Sequence, residues 1–183
     1  MIYKLYASQK GFLTKKETQL VMKSEDYYNE ISEGYDELHS EEQLNKANII
    51  AEELELDKTI KLLDVGCESG VSMKPFNCEK IGVDNSEDLL SLNPYPSVKA
   101  DAEDLPFDND SFEVVICVTA LHNFNDFEKS LSEMIRVSKR HVVISLLKKA
   151  QSFKEIKKLI SEKFKVNKVV SESKDEIFFL SLK

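Results

Sequence analysis

An apolar run ending in an acidic glycine loop, Leu62-Leu63-Asp64-Val65-Gly66-Cys67-Glu68-Ser69-Gly70, constrains this chain more than any other feature. A second apolar run, Ile81-Gly82-Val83-Asp84, soon follows and also ends in a carboxylate. Each reads as a buried strand that turns sharply where a ligand can sit. Gly66 and Gly70 lack Cβ, so they permit the turn and let backbone N–H groups come close to that ligand. Asp64 can brace the loop or face an ammonium group. Asp84 can accept from the two hydroxyls of a ribose, a carboxylate with little structural reason to stand there otherwise. Two such strand ends side by side make the nucleoside crevice of an open α/β sheet. An ordinary strand–helix turn without a ligand is the bland alternative for the glycine pair alone.

The rest of the chain agrees with that sheet. Strands are expected over 60–65, 80–83, 97–100, 112–118, 141–147, 166–170 and 177–182. Ser40 with Gln43 reads as a capping box for a helix whose face is Leu44, Ala47, Ile50, Ala51 and Leu54. Thr14 with Glu17 suggests a short helix further upstream. Only a stub of helix fits between Val71 and Cys78, because Pro75 interrupts it. Ser86 can cap a short helix over Leu89 to Leu92. Asp126 can cap one presenting Phe127, Leu131, Met134 and Ile135. Ser152 with Glu155 reads as a second capping box, for a helix bearing Phe153, Ile156, Ile160 and Phe164. Asp108-Asn109-Asp110 is a turn. The polar connection between the last two strands is too short for a crossover, so they are antiparallel. The expected fold is α/β, a doubly wound, mostly parallel sheet with an antiparallel terminal strand.

A third element, Ala100-Asp101-Ala102-Glu103-Asp104-Leu105-Pro106-Phe107, puts another acid after a short strand. Asp101 can accept from an exocyclic amine, while a neighbouring backbone N–H reads a ring nitrogen. The net charge of −8 disfavours broad contact with a phosphate backbone. The late chain is locally basic, however, through Lys139, Arg140, Lys148, Lys149, Lys154, Lys157, Lys158, Lys163, Lys165 and Lys168. Such a run is usually a solvated face and leaves RNA contact open. Cys67, Cys78 and Cys117 have no CxxC spacing, which fits a reducing compartment better than disulfides or zinc. No metal site is expected. No apolar stretch approaches membrane-spanning length, so the cytoplasm is expected.

These pieces together resemble the class I S-adenosylmethionine-dependent methyltransferases, from about Tyr27 to the C-terminus. Leu62 to Gly70 resembles the methionine-contacting glycine loop, and Asp84 the ribose-binding acid. Asp101-Ala102 resembles the adenine-binding element within an Asp-Ala-Glu-x-Leu-Pro-Phe string. Ser111 to Val118, followed by Thr119-Ala120-Leu121-His122, resembles the fourth strand and the loop beside the sulfur. Tyr28-x-x-Ile31-x-x-x-Tyr35-Asp36 resembles the aromatic segment that folds over the cofactor. The resemblance implies a seven-stranded Rossmann-like fold over residues 41–183, with residues 1–40 as a lid. It implies S-adenosylmethionine as cofactor, held by Tyr28, Tyr35, Asp64, Gly66, Cys67, Gly70, Asp84, Asn85, Asp101, Ala102, Val118 and Thr119.

The chain departs from the family pattern at three places. Glu68 replaces a third glycine, the helix after Gly70 is short, and Ser138-Lys139-Arg140 stands where a glycine pair commonly precedes the fifth strand. The last two read as trimmed connections. His122 is a candidate base or substrate contact, against a plainer role in positioning its loop. The expected activity is methyl transfer to RNA, a protein or a small molecule. A cofactor-binding subunit or sensor without turnover is the alternative. A nicotinamide-dependent oxidoreductase would prefer a G-x-G-x-x-G turn and a separate substrate domain, and this chain shows neither. The short third strand offers an exposed edge that a small activator protein could extend.

Overall fold

Seven short, aliphatic-rich segments of the chain align into one sheet in the computed structural model, which describes residues 40–54 and 56–183. The upstream Thr14–Glu17 helix, Tyr28 and Tyr35 lie outside the described residues. The strands are β1 (Lys61–Val65), β2 (Glu79–Asp84), β3 (Ser97–Lys99), β4 (Phe112–Val118), β5 (Ser138–Leu147), β6 (Phe164–Ser171) and β7 (Asp175–Leu182). Their order across the sheet is β3-β2-β1-β4-β5-β7-β6. Strands β1 to β5 pair in parallel, and β7 runs antiparallel to both neighbours. The last two strands are therefore the hairpin expected from their short connection.

Helices lie on both faces. Helix α1 covers residues 40–54, α2 is Glu87–Leu92, α3 Phe127–Val137 and α4 Phe153–Lys163. Successive strand residues point to opposite faces, and the two cores follow that alternation. Leu62, Val114, Ile116 and Val143 pack with Ala47 and Ile50 of α1. Leu63, Val65, Val115 and Cys117 pack with Leu131 and Met134 of α3 and with Ile156 and Ile160 of α4. Both faces of β1 are thus covered, which is why its sequence is apolar without alternation.

Local signals account for most element ends. Ser86 Oγ accepts from Leu89 N at 3.3 Å, and Asp126 Oδ1 accepts from Lys129 N at 2.9 Å, so both expected caps form. After Gly70 the chain makes only a 3₁₀ turn, Val71–Met73. Two expected capping boxes do not form. Ser40 is already helical, and the Gln43 side-chain carbonyl has no hydrogen-bond partner. Ser152 stands at the start of α4, yet its side chain caps nothing. Phe164 also belongs elsewhere: α4 ends at Lys163 and Phe164 opens β6 in extended backbone, still buried. Likewise α3 passes directly into β5 at Ser138, so the trimmed connection before the fifth strand is real.

Walking outward from β1, the order runs one way through β2 and β3 and the other way through β4 and β5. The reversal opens a crevice at the carboxyl ends of β1 and β4. One compact unit, Glu41–Lys183, contains all of this. No helix among the described residues is long and apolar enough to cross a membrane.

Candidate functional site

The glycine loop is stitched to the neighbouring strand by its own backbone. Gly66 N and Cys67 N both donate to Val83 O, at 2.8 and 3.0 Å. Gly66 has φ +77°, and a Cβ there would stand 2.5 Å from that of Ala120. Only glycine therefore lets the loop after β4 close against this turn. Glu68 has φ +48°, a left-handed conformation that suits the glycine it replaces. Its N–H donates to Asp84 Oδ2 at 3.0 Å, which helps hold that unfavourable backbone in place. The other Asp84 oxygen accepts from Ser86 N at 2.9 Å. The expectation that Asp84 lacks a structural task is thus corrected: it ties the glycine loop to the turn before α2. Each carboxylate oxygen keeps a second lone pair for a ligand.

A cleft of about 260 Å³ opens over these groups. Gly66, Asp84, Asn85 and Ala102 line it, with Glu68, Leu89, Ala120 and Phe124. Asp101 is beside the cleft and not in its lining, 3.4 Å from the Asn85 amide that donates to it. Arg136 anchors the loop after β3, donating to the carbonyls of Leu105 and Phe107 at 2.9 and 2.7 Å while paired with Glu133. The sequence reading missed that anchor.

A small recess continues past Gly66 and Glu68, lined also by Cys67, Val118, Gln43, Ser69 and Ser72. Asp64 lies just beneath, fully buried, and accepts from the Ser72 hydroxyl through Oδ2. Its Oδ1 has no hydrogen-bond partner. Burial raises the Asp64 pKa to about 7; the Ser72 hydrogen bond opposes this, while the nearby Glu68 and Asp84 charges add to it. Gly70 lines neither space. It has φ +83° and closes the turn by donating to Cys67 O at 2.8 Å.

Thr119 also faces elsewhere. Although β-branched, it has φ +58°, and its hydroxyl enters a buried polar cluster. Lys46 Nζ donates to Thr119 Oγ1 at 2.8 Å, and Thr119 Oγ1 donates to Asp175 Oδ2 at 2.8 Å. Ser145 Oγ donates to the same carboxylate oxygen at 2.7 Å, and Lys46 pairs with Asp175 Oδ1 at 3.2 Å. This cluster holds the turn from which Ala120, Asn123, Phe124 and Asn125 wall the cleft. Nothing in the sequence pattern singled out Asp175, and Lys46 read as part of a helix.

His122 follows in a 3₁₀ turn. With Phe124, Phe127, Ala150, Gln151, Ser152 and Glu155 it lines a second cleft of about 420 Å³. The two clefts share Phe124. Burial lowers the His122 pKa; Asp175 opposes that shift and Lys46 reinforces it. Burial thus favours the uncharged ring, and its Nδ1 is buried without a partner. It can accept a proton from a ligand.

Much of the late basic run is matched by acids. Lys139 pairs with Glu113, Lys157 with Glu176, Lys158 with Glu162, Lys163 with Glu128 and Lys168 with Glu53. Five of the ten basic residues in the run are thus neutralised at the surface.

Residues 63–146 match the methyltransferase domain family. The ubiquinone/menaquinone biosynthesis C-methyltransferase UbiE of Idiomarina loihiensis is 38% identical over 77 residues, 41% of this chain and 31% of that protein. The fold is that of a SAM-dependent methyltransferase from Aquifex aeolicus, with TM-score 0.64 and 16% identity over 75% of this chain and 89% of that one. It also matches a chain from a Haloferax volcanii complex of the Trm112 methyltransferase activator with a methyltransferase, with TM-score 0.62 and 13% identity over 69% of this chain and 84% of that one. The chain spans less than half the length of three curated relatives that it matches: 47%, 37% and 31%.

Proposed function

We propose that this chain is a class I S-adenosylmethionine-dependent methyltransferase, a reading supported by the methyltransferase-domain match over residues 63–146 and by the fold, and that it transfers a methyl group from that cofactor to a small acceptor. One observation carries the reading most: the cleft at the β1, β2 and β4 ends has a glycine floor, a carboxylate wall and, next to its recess, a buried acid with one oxygen left without a partner. That combination fits a nucleoside carrying an amino acid. When bound, S-adenosylmethionine supplies an electrophilic methyl group on a sulfonium.

The chain's own residues then have distinct tasks. The spare lone pairs of Asp84 accept from the ribose hydroxyls, with Asn85 beside them. Asp101 and the Ala102 backbone read the adenine. Gly66 admits the methionine portion over the loop, and Cys67 and Val118 shape the recess. Asp64 faces the ammonium group, while Gly70 and Thr119 hold the turns that frame the site. Phe124 and Ala120 exclude water and align the two clefts, so the reaction is mainly one of positioning. His122, which lines the second cleft with Phe124, accepts a proton from an N–H or O–H acceptor lying there.

The second cleft is of small-molecule size, and acids neutralise five of the ten basic residues in the late run. Both favour a small acceptor over RNA or protein. Among the described residues β3 pairs with β2 alone, and Leu92 of the adjoining α2 is exposed. A small activator protein extending this edge is the partner we favour. Three unpaired cysteines suit a reducing cytoplasm.

Asp84→Ala removes the ribose acceptor and the brace on Glu68 together. Titration calorimetry should show S-adenosylhomocysteine binding about 10- to 100-fold more weakly, the scale of losing hydrogen bonds to a charged group. Unchanged affinity would remove Asp84 from the site. Incubation with labelled cofactor and a panel of amines and phenols separates an enzyme from a sensor, which would bind without turnover.

A further inference from the structure

We propose that Gln43 of α1 and Asp64 of β1 form a two-acceptor seat for the cofactor's ammonium group, and that the buried Lys46–Asp175 pair holds Gln43 at that seat. The inference rests on the cofactor reading above and assigns a recognition residue outside the matched region, residues 63–146.

Gln43 is 6% exposed, yet its Oε1 accepts from nothing. Buried amide carbonyls rarely go unpaired, and an exception points to a donor that arrives from outside. Asp64 Oδ1 is orphaned in the same way. Ser72 links the two: its hydroxyl donates to Asp64, and it lines the recess together with Gln43. The recess joins the cofactor cleft at Gly66 and Glu68.

Size and charge both select an ammonium. The free space is only about 10 Å³, the room of one water-sized group. A carboxylate or a ring does not fit there. Asp64, Glu68 and Asp84 surround the loop with acidic groups, which repel an anion and attract a cation. Gln43 in the lining and Asp64 behind Ser72 supply two acceptors, and no lysine or arginine lines the recess among the described residues, which complements the three donors of a primary ammonium.

The position of Gln43 is built, not accidental. Lys46 lies one turn on along the same face of α1. Its ammonium reaches Thr119 Oγ1 and Asp175 Oδ1 at 2.8 and 3.2 Å, with side-chain exposures of 10% for Lys46 and 0% for Asp175. Ala47 and Ile50 are fully buried beside it. These contacts fix the rotation of α1 about its axis and hence the direction of Gln43.

The test compares S-adenosylhomocysteine with 5′-methylthioadenosine, which keeps the nucleoside and thioether but lacks the amino acid. Both are titrated calorimetrically into wild-type protein and Gln43→Met, a near-isosteric variant without the carbonyl. Gln43→Met should bind S-adenosylhomocysteine about tenfold or more weakly while methylthioadenosine affinity stays within about twofold. Retained methylthioadenosine binding also shows that the variant is folded at the site. Equal S-adenosylhomocysteine affinity in the two proteins overturns the assignment. Equal weakening of both compounds also overturns it, because Gln43 would then support the fold and not the ammonium. If the wild type binds neither compound, the cofactor reading itself falls.

Discussion

Asp64→Asn should make the ligand-free protein more stable at pH 8 while abolishing most of its affinity for S-adenosylmethionine. The folded-state pKa of Asp64 is raised from 3.8 to about 7, chiefly by burial. Below pH 3.8 the acid is protonated in both folded and unfolded chains, so its ionisation costs nothing. As pH rises toward 7 the unfolded chain loses the proton first, and stability falls through that window. Above pH 7 the full loss is present, on the order of 4 kcal/mol at 1.36 kcal/mol per pKa unit. Asparagine cannot ionise and its carbonyl can still accept from Ser72, so the variant escapes the loss. Urea melts should therefore show a gain of a few kcal/mol at pH 8 and almost none at pH 4. Cofactor affinity should drop about 100-fold, the scale of losing a buried charge-assisted hydrogen bond. Wild-type affinity should also rise between pH 6 and 8, a dependence absent from the variant. A variant that is no more stable at pH 8, and binds as before, would refute the role of this acid.

Lys46→Met should be the most damaging change away from the cleft. Asp175 is wholly buried, and Lys46 is its cationic partner in the described structure. Removing one member of a buried ion pair leaves an uncompensated charge and costs about 3–5 kcal/mol. Thr119 would also lose a bond that helps hold its left-handed backbone. Urea denaturation of the single variant should show that loss. The double variant Lys46→Met, Asp175→Asn should recover most of it, because Asn still accepts from Thr119 and Ser145 without needing a counter-charge. A single-variant loss under about 1 kcal/mol would mean that Asp175 is already solvated.

The parts of the site made by contiguous residues were legible in the sequence. Strand ends write themselves as apolar runs closing on Asp64 and Asp84, and the turn chemistry of Gly66 and Gly70 is local. Their alternation with helices carries the sheet, and the brief connection between β6 and β7 carries its reversal. What escaped depends on contacts distant in sequence. Lys46, Thr119, Ser145 and Asp175 come from four separate elements, and each alone is unremarkable. Gln43 looked like half of a capping box because Ser40 stands three residues before it; the helix already includes Ser40, so the amide is released for another purpose. Asp84 taught the opposite lesson, since its position suggested a ligand but gave no hint that it also clamps Glu68. Phe164 was misplaced because an apolar residue next to a helix end fits either period, and its extended backbone decided for β6.

Crystals grown with S-adenosylhomocysteine test the central claim most directly. The ribose should lie on Asp84, the adenine beside Ala102 and the amino group against Asp64. A cleft left empty by that compound but filled by NADH would contradict the account.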